Sequence, residues 1–235
     1  MTKTVVITGA SRGIGRQLAT KYHELGWRVI ATARQVSALE GLGVAAQDAF
    51  ELDVTSPGSI STFATALGAE TAVNLLINNA GVLGDRQKTI SDISKADLLY
   101  TFETNTVGPF LVTQALLENL KLGAGFGSSV ALVVNISSDA ASITENASSG
   151  LIAYRASKTA SNSLSKSLAI DLKSFKVSVL QLHPGYVKTD MSPNGIISPE
   201  KSVEGMNKII NRALDDSSLD LTGRFYDFEG RELPW

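Results

Sequence analysis

Thr4-Val-Val-Ile-Thr8-Gly9-Ala-Ser-Arg12-Gly13-Ile-Gly15 sets the architecture of the whole chain. Thr4–Thr8 is short, β-branched and apolar, the pattern of a strand buried in a sheet. It runs straight into a turn with glycines at 9, 13 and 15. From Arg16 to Leu25 good helix formers follow, and Gly26 stands where a helix C-cap belongs. Strand, glycine turn and helix in that order open a βαβ unit.

The same alternation repeats along the chain. Arg28–Ala33, Ala49–Leu52, Val73–Ile77, Ser129–Ile136, Val177–Leu182 and Arg224–Phe228 are further strand candidates, mostly continuous apolar runs. Between them come a short helix near Val36–Leu42, one entered through Thr55-Ser56-Pro57 and running to about Leu67, then Ser94–Tyr100, Val107–Leu122, Ile152–Phe175 and Lys201–Leu214. Gly123–Gly127 reads as a break, and Ser137–Gly150 as a loop of small and polar residues. No composition shift marks a boundary. The pattern predicts one α/β domain over 1–235, a Rossmann-type, doubly wound parallel sheet of about seven strands with helices on both faces.

Bulk properties narrow the function classes. A chain of 235 residues with 43% hydrophobic and 19% charged residues suits a packed enzyme or binding protein and excludes a disordered one. The net charge of −2, with no basic block, argues against nucleic-acid or anionic-membrane partners. The absence of cysteine removes disulfides, thiolate nucleophiles and thiolate metal sites together. His23 and His183 lie too far apart in sequence to suggest a ligand cluster, so no metal is expected. The opening apolar run is too short for a signal peptide, and no span of about 18 apolar residues occurs beyond it. An intracellular, cytoplasmic protein is the expectation.

The chemistry starts at the glycine turn. A glycine turn feeding a helix N-terminus offers several backbone N–H groups to a pyrophosphate. At the end of the second strand an acidic residue would bind the adenosine ribose and select NAD; this chain has Ala33-Arg34 there, and Arg12 in the turn. Two guanidiniums can grip a 2′-phosphate through charge-assisted, fork-shaped hydrogen bonds, which points to NADP(H). Farther on, Tyr154-Arg-Ala-Ser-Lys158 places a phenol and an ammonium one helical turn apart on one face. A neighbouring cation favours the ionised phenol, which otherwise titrates near ~10, too high for proton transfer at neutral pH. Alone, such a pair also occurs on many solvated helix faces.

Thr8-Gly9-x-x-x-Gly13-x-Gly15, Asn78-Asn79-Ala80-Gly81, Asn105, Ser138, Tyr154-x-x-x-Lys158 and Pro184-Gly185 come one after another in the order of the short-chain dehydrogenase/reductase family, which the chain resembles over nearly its whole length. Ala153–Lys158 and the ending Gly230–Trp235 also resemble the C-factor and sniffer-like carbonyl reductases of that family. The resemblance implies Tyr154 as proton donor or acceptor, Lys158 lowering its pKa and holding the nicotinamide ribose, and Asn105 holding a relay water. It implies Asp53 and Val54 at the adenine, Asn79, Ala80 and Gly81 along the cofactor cleft, and Pro184, Gly185, Val187 and Thr189 at the nicotinamide carboxamide. Gly9, Ser11, Arg12, Gly13, Ile14, Gly15 and Arg34 complete the expected cofactor set. Ser137 and Ser138 face opposite ways if extended, so one of them faces the substrate oxygen; the resemblance points to Ser138.

These features together imply an NADP(H)-dependent oxidoreductase that moves a hydride between the nicotinamide and a carbonyl or alcohol substrate, reducing a ketone, aldehyde or quinone. A nucleotide-binding regulatory or signalling protein with little turnover is the alternative from another class, and epimerisation or dehydration could use the same residues. Tyr186, Met191 and Ser192–Gly195 fall where the family has its substrate lid, about 186–200. His183 is expected to be a satisfied strand-end histidine, and Phe126 and Trp235 are either lid contacts or core, with core the expectation. The family pairs subunits through the helices predicted at Val107–Leu122 and Ile152–Phe175, as homodimers or homotetramers.

Overall fold

The computed structural model describes residues 2–125, 130–148, 150–215 and 221–235. Seven strands form one sheet: β1 (Thr4–Ile7), β2 (Arg28–Ala33), β3 (Ala49–Glu51), β4 (Leu75–Asn78), β5 (Ala131–Ile136), β6 (Val177–His183) and β7 (Arg224–Asp227). Their order is β3-β2-β1-β4-β5-β6-β7, and every pairing is parallel. The chain starts at the centre, winds to one edge through β3, then crosses back to β4 and winds to the other. The crevice between the C-terminal ends of β1 and β4 is therefore the switch point at which such sheets bind ligands.

Each face of the sheet carries its own core. Helices α1 (Gly13–Glu24) and α7 (Pro199–Asp215) cover one side, where Leu18, Tyr22, Met206 and Ile210 meet Val5, Ile7, Leu132 and Leu180. On the other side α2 (Pro57–Leu67), α4 (Gly108–Ala115), α5 (Leu117–Gly125) and α6 (Ile152–Asp171) bring Phe63, Val112, Leu120 and Ala169 against Val6, Leu76, Val133 and Val179. Successive strand residues thus go to opposite cores, which is why the strands are apolar without alternation. Among the described residues no helix is long and apolar enough to cross a membrane.

Several predicted elements change at their ends. Val36–Leu42 forms only a 3₁₀ turn, Val36–Leu39. Helix α3 (Lys95–Phe102) starts at a capping box in which Ser94 and Asp97 satisfy each other's backbone N–H groups. The predicted helix Val107–Leu122 is instead part of a broken rod: a π turn at Glu103–Val107, then α4, then a non-helical Leu116 before α5. The predicted break at Gly123 is also overturned, since α5 continues to Gly125. A Cβ on Gly123 would collide with the Val73 carbonyl, so this glycine serves a close approach of helix to strand rather than a stop. The start of the strand predicted from Ser129, like Phe126, lies outside the described residues.

Candidate active site

The two turns at the switch point hold each other. Thr8 Oγ1 accepts hydrogen bonds from Asn79 N and Ala80 N, both 3.0 Å, and Asn79 Nδ2 donates to Thr8 O at 2.9 Å and Gly9 O at 3.1 Å. Gly15 packs so tightly into this knot that a Cβ would collide with Gly9 O and Asn79 Nδ2. Helix α1 therefore begins flush against the turn, and its first turn carries no acidic side chain. Partial positive charge at that end, with free N–H groups, suits an anion.

A cleft of about 360 Å³ opens over this turn. Gly9, Ser11, Arg12, Gly13, Ile14, Gly15, Arg34, Asp53, Val54, Asn79, Ala80, Gly81, Tyr154, Lys158, Pro184 and Thr189 all line it. Gly185 and Val187 do not: Gly185 is backed by Ile197 and Phe228, while Val187, 4% exposed, bridges to Ile197. Leu52, Thr55, Tyr100 and Asp190 also line the cleft, although no sequence motif singles them out. Adjacency to Asp53-Val54 is a usable signal for Leu52 and Thr55; Tyr100 and Asp190 arrive only through the fold. Asp53 is fixed by Thr55, whose backbone N–H and hydroxyl donate to Oδ1 at 2.9 and 2.7 Å and hold its carboxyl below the usual range, helped by Arg34.

Tyr154 and Lys158 rise from the first turns of α6 into this cleft, and Tyr154 stands on the wall that it shares with a second cavity of about 510 Å³. Tyr154 borders both, with Leu83, Ile93, Leu151 and Met191 on the apolar side of the second cavity and Asp85, Lys88 and Asp97 on its polar side. Lys88 bridges both Asp97 oxygens at 2.7 Å.

The phenol and the ammonium are governed by burial. Lys158 is 6% exposed, donates from Nζ to Ile136 O at 2.7 Å, and burial pulls it down to about 8. Burial pushes the Tyr154 phenol up to about 12; the Ser138 hydrogen bond and Arg86 pull it down, and Asp139 adds to the rise. The expectation that Lys158 lowers the phenol is thus overturned for the protein by itself. Nζ lies 6.0 Å from the Tyr154 ring centroid and is turned to the strand-end carbonyl, so desolvation dominates both groups.

The serine alternatives separate clearly. Ser137 Oγ points into the fold and donates to Asn162 Oδ1 at 2.7 Å. Ser138 is the one hydrogen-bonded to Tyr154. Its hydroxyl donates to Asp139 Oδ1 at 3.0 Å and accepts Ala140 N at 3.2 Å. Behind Asp139, His183 Nε2 stands 3.8 Å from Oδ2, while Nδ1 is buried with no hydrogen-bond partner among the described residues. The expected satisfied histidine therefore makes no side-chain hydrogen bond among the described residues.

Asn105 lies in the π turn and is fully buried. Its Oδ1 accepts Val82 N at 2.9 Å, and its Nδ2 donates to Val82 O at 2.8 Å and Ser157 Oγ at 3.0 Å. It thus pins the segment after Gly81 to the helix that carries Tyr154. Trp235 stacks on Phe225 at 5.8 Å yet remains 43% exposed, so it sits at the edge of the core rather than inside it.

Comparison with known proteins agrees with this geometry. The family model described as short chain dehydrogenase matches residues 3–196. C-signal of Myxococcus xanthus is 38% identical over 164 residues, covering 69% of this chain and 93% of that protein. Among solved structures, the carbonyl reductase Sniffer of D. melanogaster superposes with a TM-score of 0.90 at 28% identity, covering 100% of both chains. The NADPH-bound carbonyl reductase from chicken fatty liver does so with a TM-score of 0.85 at 31% identity, covering 100% of this chain and 99% of that one. With the family model over residues 3–196 and the parallel seven-stranded sheet shared with these structures, the chain belongs to the short-chain dehydrogenase/reductase family.

Proposed function

We propose that the protein is an NADP(H)-dependent reductase of small-molecule carbonyls, whether ketones, aldehydes or quinones, working as one domain. The observation that carries this reading is a protonated phenol, hydrogen-bonded to a serine and backed by a buried ammonium, on the wall common to both cavities. A bound nicotinamide supplies the hydride. The chain supplies position and a proton. The cradle at Gly15 takes the pyrophosphate, Arg12 and Arg34 face the 2′-phosphate, and Lys158 reaches the ribose hydroxyls. The Tyr154 phenol is protonated at neutral pH and so holds the proton that reduction requires. Ser138, whose hydroxyl donates to Asp139 in the protein by itself, turns that proton to the substrate oxygen as negative charge develops there. Asn105 ties Val82 to Ser157 and so holds the segment after Gly81 against the helix that carries Tyr154. The likeness to an NADPH-bound carbonyl reductase supports the cofactor, and the apolar side of the second cavity supports a weakly polar substrate.

A signalling role with little turnover is the second reading, favoured by the likeness to C-signal. Incubation with NADPH and a panel of aldehydes, ketones and quinones separates the two. Loss of NADPH absorbance with at least one carbonyl is expected; no oxidation across the panel favours the second reading.

A further inference from the structure

Asp190 is a charged group at the cleft that has no role in the proposed reaction. It comes directly after Thr189, lines both cavities, and its Oδ2 stands 3.1 Å from Arg12 Nη1, with both side chains 71% exposed. The guanidinium assigned to the 2′-phosphate is therefore engaged by a carboxylate from the lid. Arg34, its expected partner in that task, makes no ion pair among the described residues.

Asp190 does not owe its place to Arg12. Thr189 and Ser192 exchange backbone hydrogen bonds at 2.9 and 3.2 Å, and the Thr189 methyl lies where it would touch a Cβ on Gly13 at 3.2 Å. Arg86 holds the next two residues, donating to Met191 O at 3.0 Å and Ser192 Oγ at 2.9 Å. The backbone that carries the carboxylate is thus held independently of Arg12. Arg12 is the movable member, a long side chain on the residue that precedes α1.

We propose that Asp190 is a specificity-determining residue for the cofactor, its carboxylate competing with an adenosine 2′-phosphate for the Arg12 guanidinium. The inference rests on the NADP(H) reading. A dinucleotide with the 2′-phosphate must draw Arg12 away from Asp190, whereas one with a plain ribose leaves the pair intact. Asp190 therefore narrows the preference for NADP(H) over NAD(H), and cofactor binding frees the lid from one of its two arginine contacts. An exposed ion pair of this kind holds its partner by a factor of about 2 to 5.

The test is equilibrium titration of NADPH and of NADH, monitored by cofactor fluorescence, into the wild type, Asp190→Asn, Arg12→Gln and the double variant. It needs no turnover, and both substitutions are at exposed positions. Asp190→Asn is expected to tighten NADPH about 2- to 5-fold more than NADH, and the difference is expected to vanish in the Arg12→Gln background. Equal tightening of both cofactors, which mere removal of a negative charge would give, overturns the proposal. So does weaker NADPH binding in Asp190→Asn, the sign of a pair that closes over bound cofactor. A wild type that binds NADH more tightly than NADPH sinks the cofactor reading and this inference with it. A wild type favouring NADPH with no change in Asp190→Asn sinks the inference alone.

Discussion

Replacing Lys158 with Met should stabilise the protein while removing its reductase activity. The ammonium is 6% exposed and gives one hydrogen bond, to Ile136 O. Burial holds the amine near 8, against an ordinary 10.5. The folded chain therefore gives up this proton before the unfolded chain does, and folding carries a penalty wherever the unfolded chain keeps it. That penalty is complete below about pH 8 and fades as the pH rises towards 10.5. At about 1.4 kcal/mol per pH unit it amounts to roughly 3 kcal/mol at pH 7. Met fills the channel with an unbranched apolar chain but leaves Ile136 O without its donor, which costs about 1 kcal/mol. The net gain is roughly 2 kcal/mol. Urea unfolding monitored by circular dichroism from pH 7 to about 9.5 reads both parts of the prediction. The wild type should gain stability across that window, while the Lys158→Met variant starts higher and stays flat. The window must end below about pH 10, because Tyr154, pushed up to about 12, then gives the opposite slope: the folded chain keeps a proton that the unfolded chain loses. A variant no more stable than the wild type at pH 7, or a wild type flat across the window, would mean that burial does not penalise the ammonium.

Other substitutions separate structural from chemical roles. Ser138→Ala should lower turnover about 100-fold and cost no more than about 1 kcal/mol of stability, since Ala140 N keeps its bond to Asp139 Oδ1. Ser137→Ala should keep turnover and lose about 1 kcal/mol of stability, through the hydrogen bond to Asn162. Equal kinetic effects from the two would contradict the geometry. Gly123→Ala should lose about 2 kcal/mol or more in a thermal or urea melt, because its methyl meets the Val73 carbonyl; an unchanged midpoint would mean that α5 can move away.

The sheet is legible in the sequence because its central strands are buried on both faces, and β1 and β4 are cut off by glycine or asparagine, signals that lie within a few residues of each other. The glycine turn and the Tyr154–Lys158 pair are legible for the same reason. What escapes depends on contacts distant in sequence. The break at the π turn comes from Asn105 gripping Val82 and Ser157, and no local pattern in Glu103–Val107 announces it. Gly123 is misread because a glycine that breaks a helix and one that admits a neighbouring strand look alike in sequence. The spacing of Tyr154 and Lys158 gives their shared face but not their burial, and burial reverses the expected direction of the phenol. The place of Arg12 in the turn suggests a phosphate ligand, but its contact with Asp190, 178 positions away, comes only from the folded chain.

The role of Tyr154 as proton donor stands or falls on one comparison, between the wild type and Tyr154→Phe. Each protein, loaded with NADPH, is mixed with a carbonyl that the wild type reduces, and cofactor affinity is measured alongside. Loss of the phenol oxygen should slow NADPH oxidation by about 1,000-fold or more while leaving NADPH affinity within about 3-fold, since the proton donor is removed and the cradle is untouched. Oxidation in Tyr154→Phe at a rate close to that of the wild type would show that the proton comes from elsewhere.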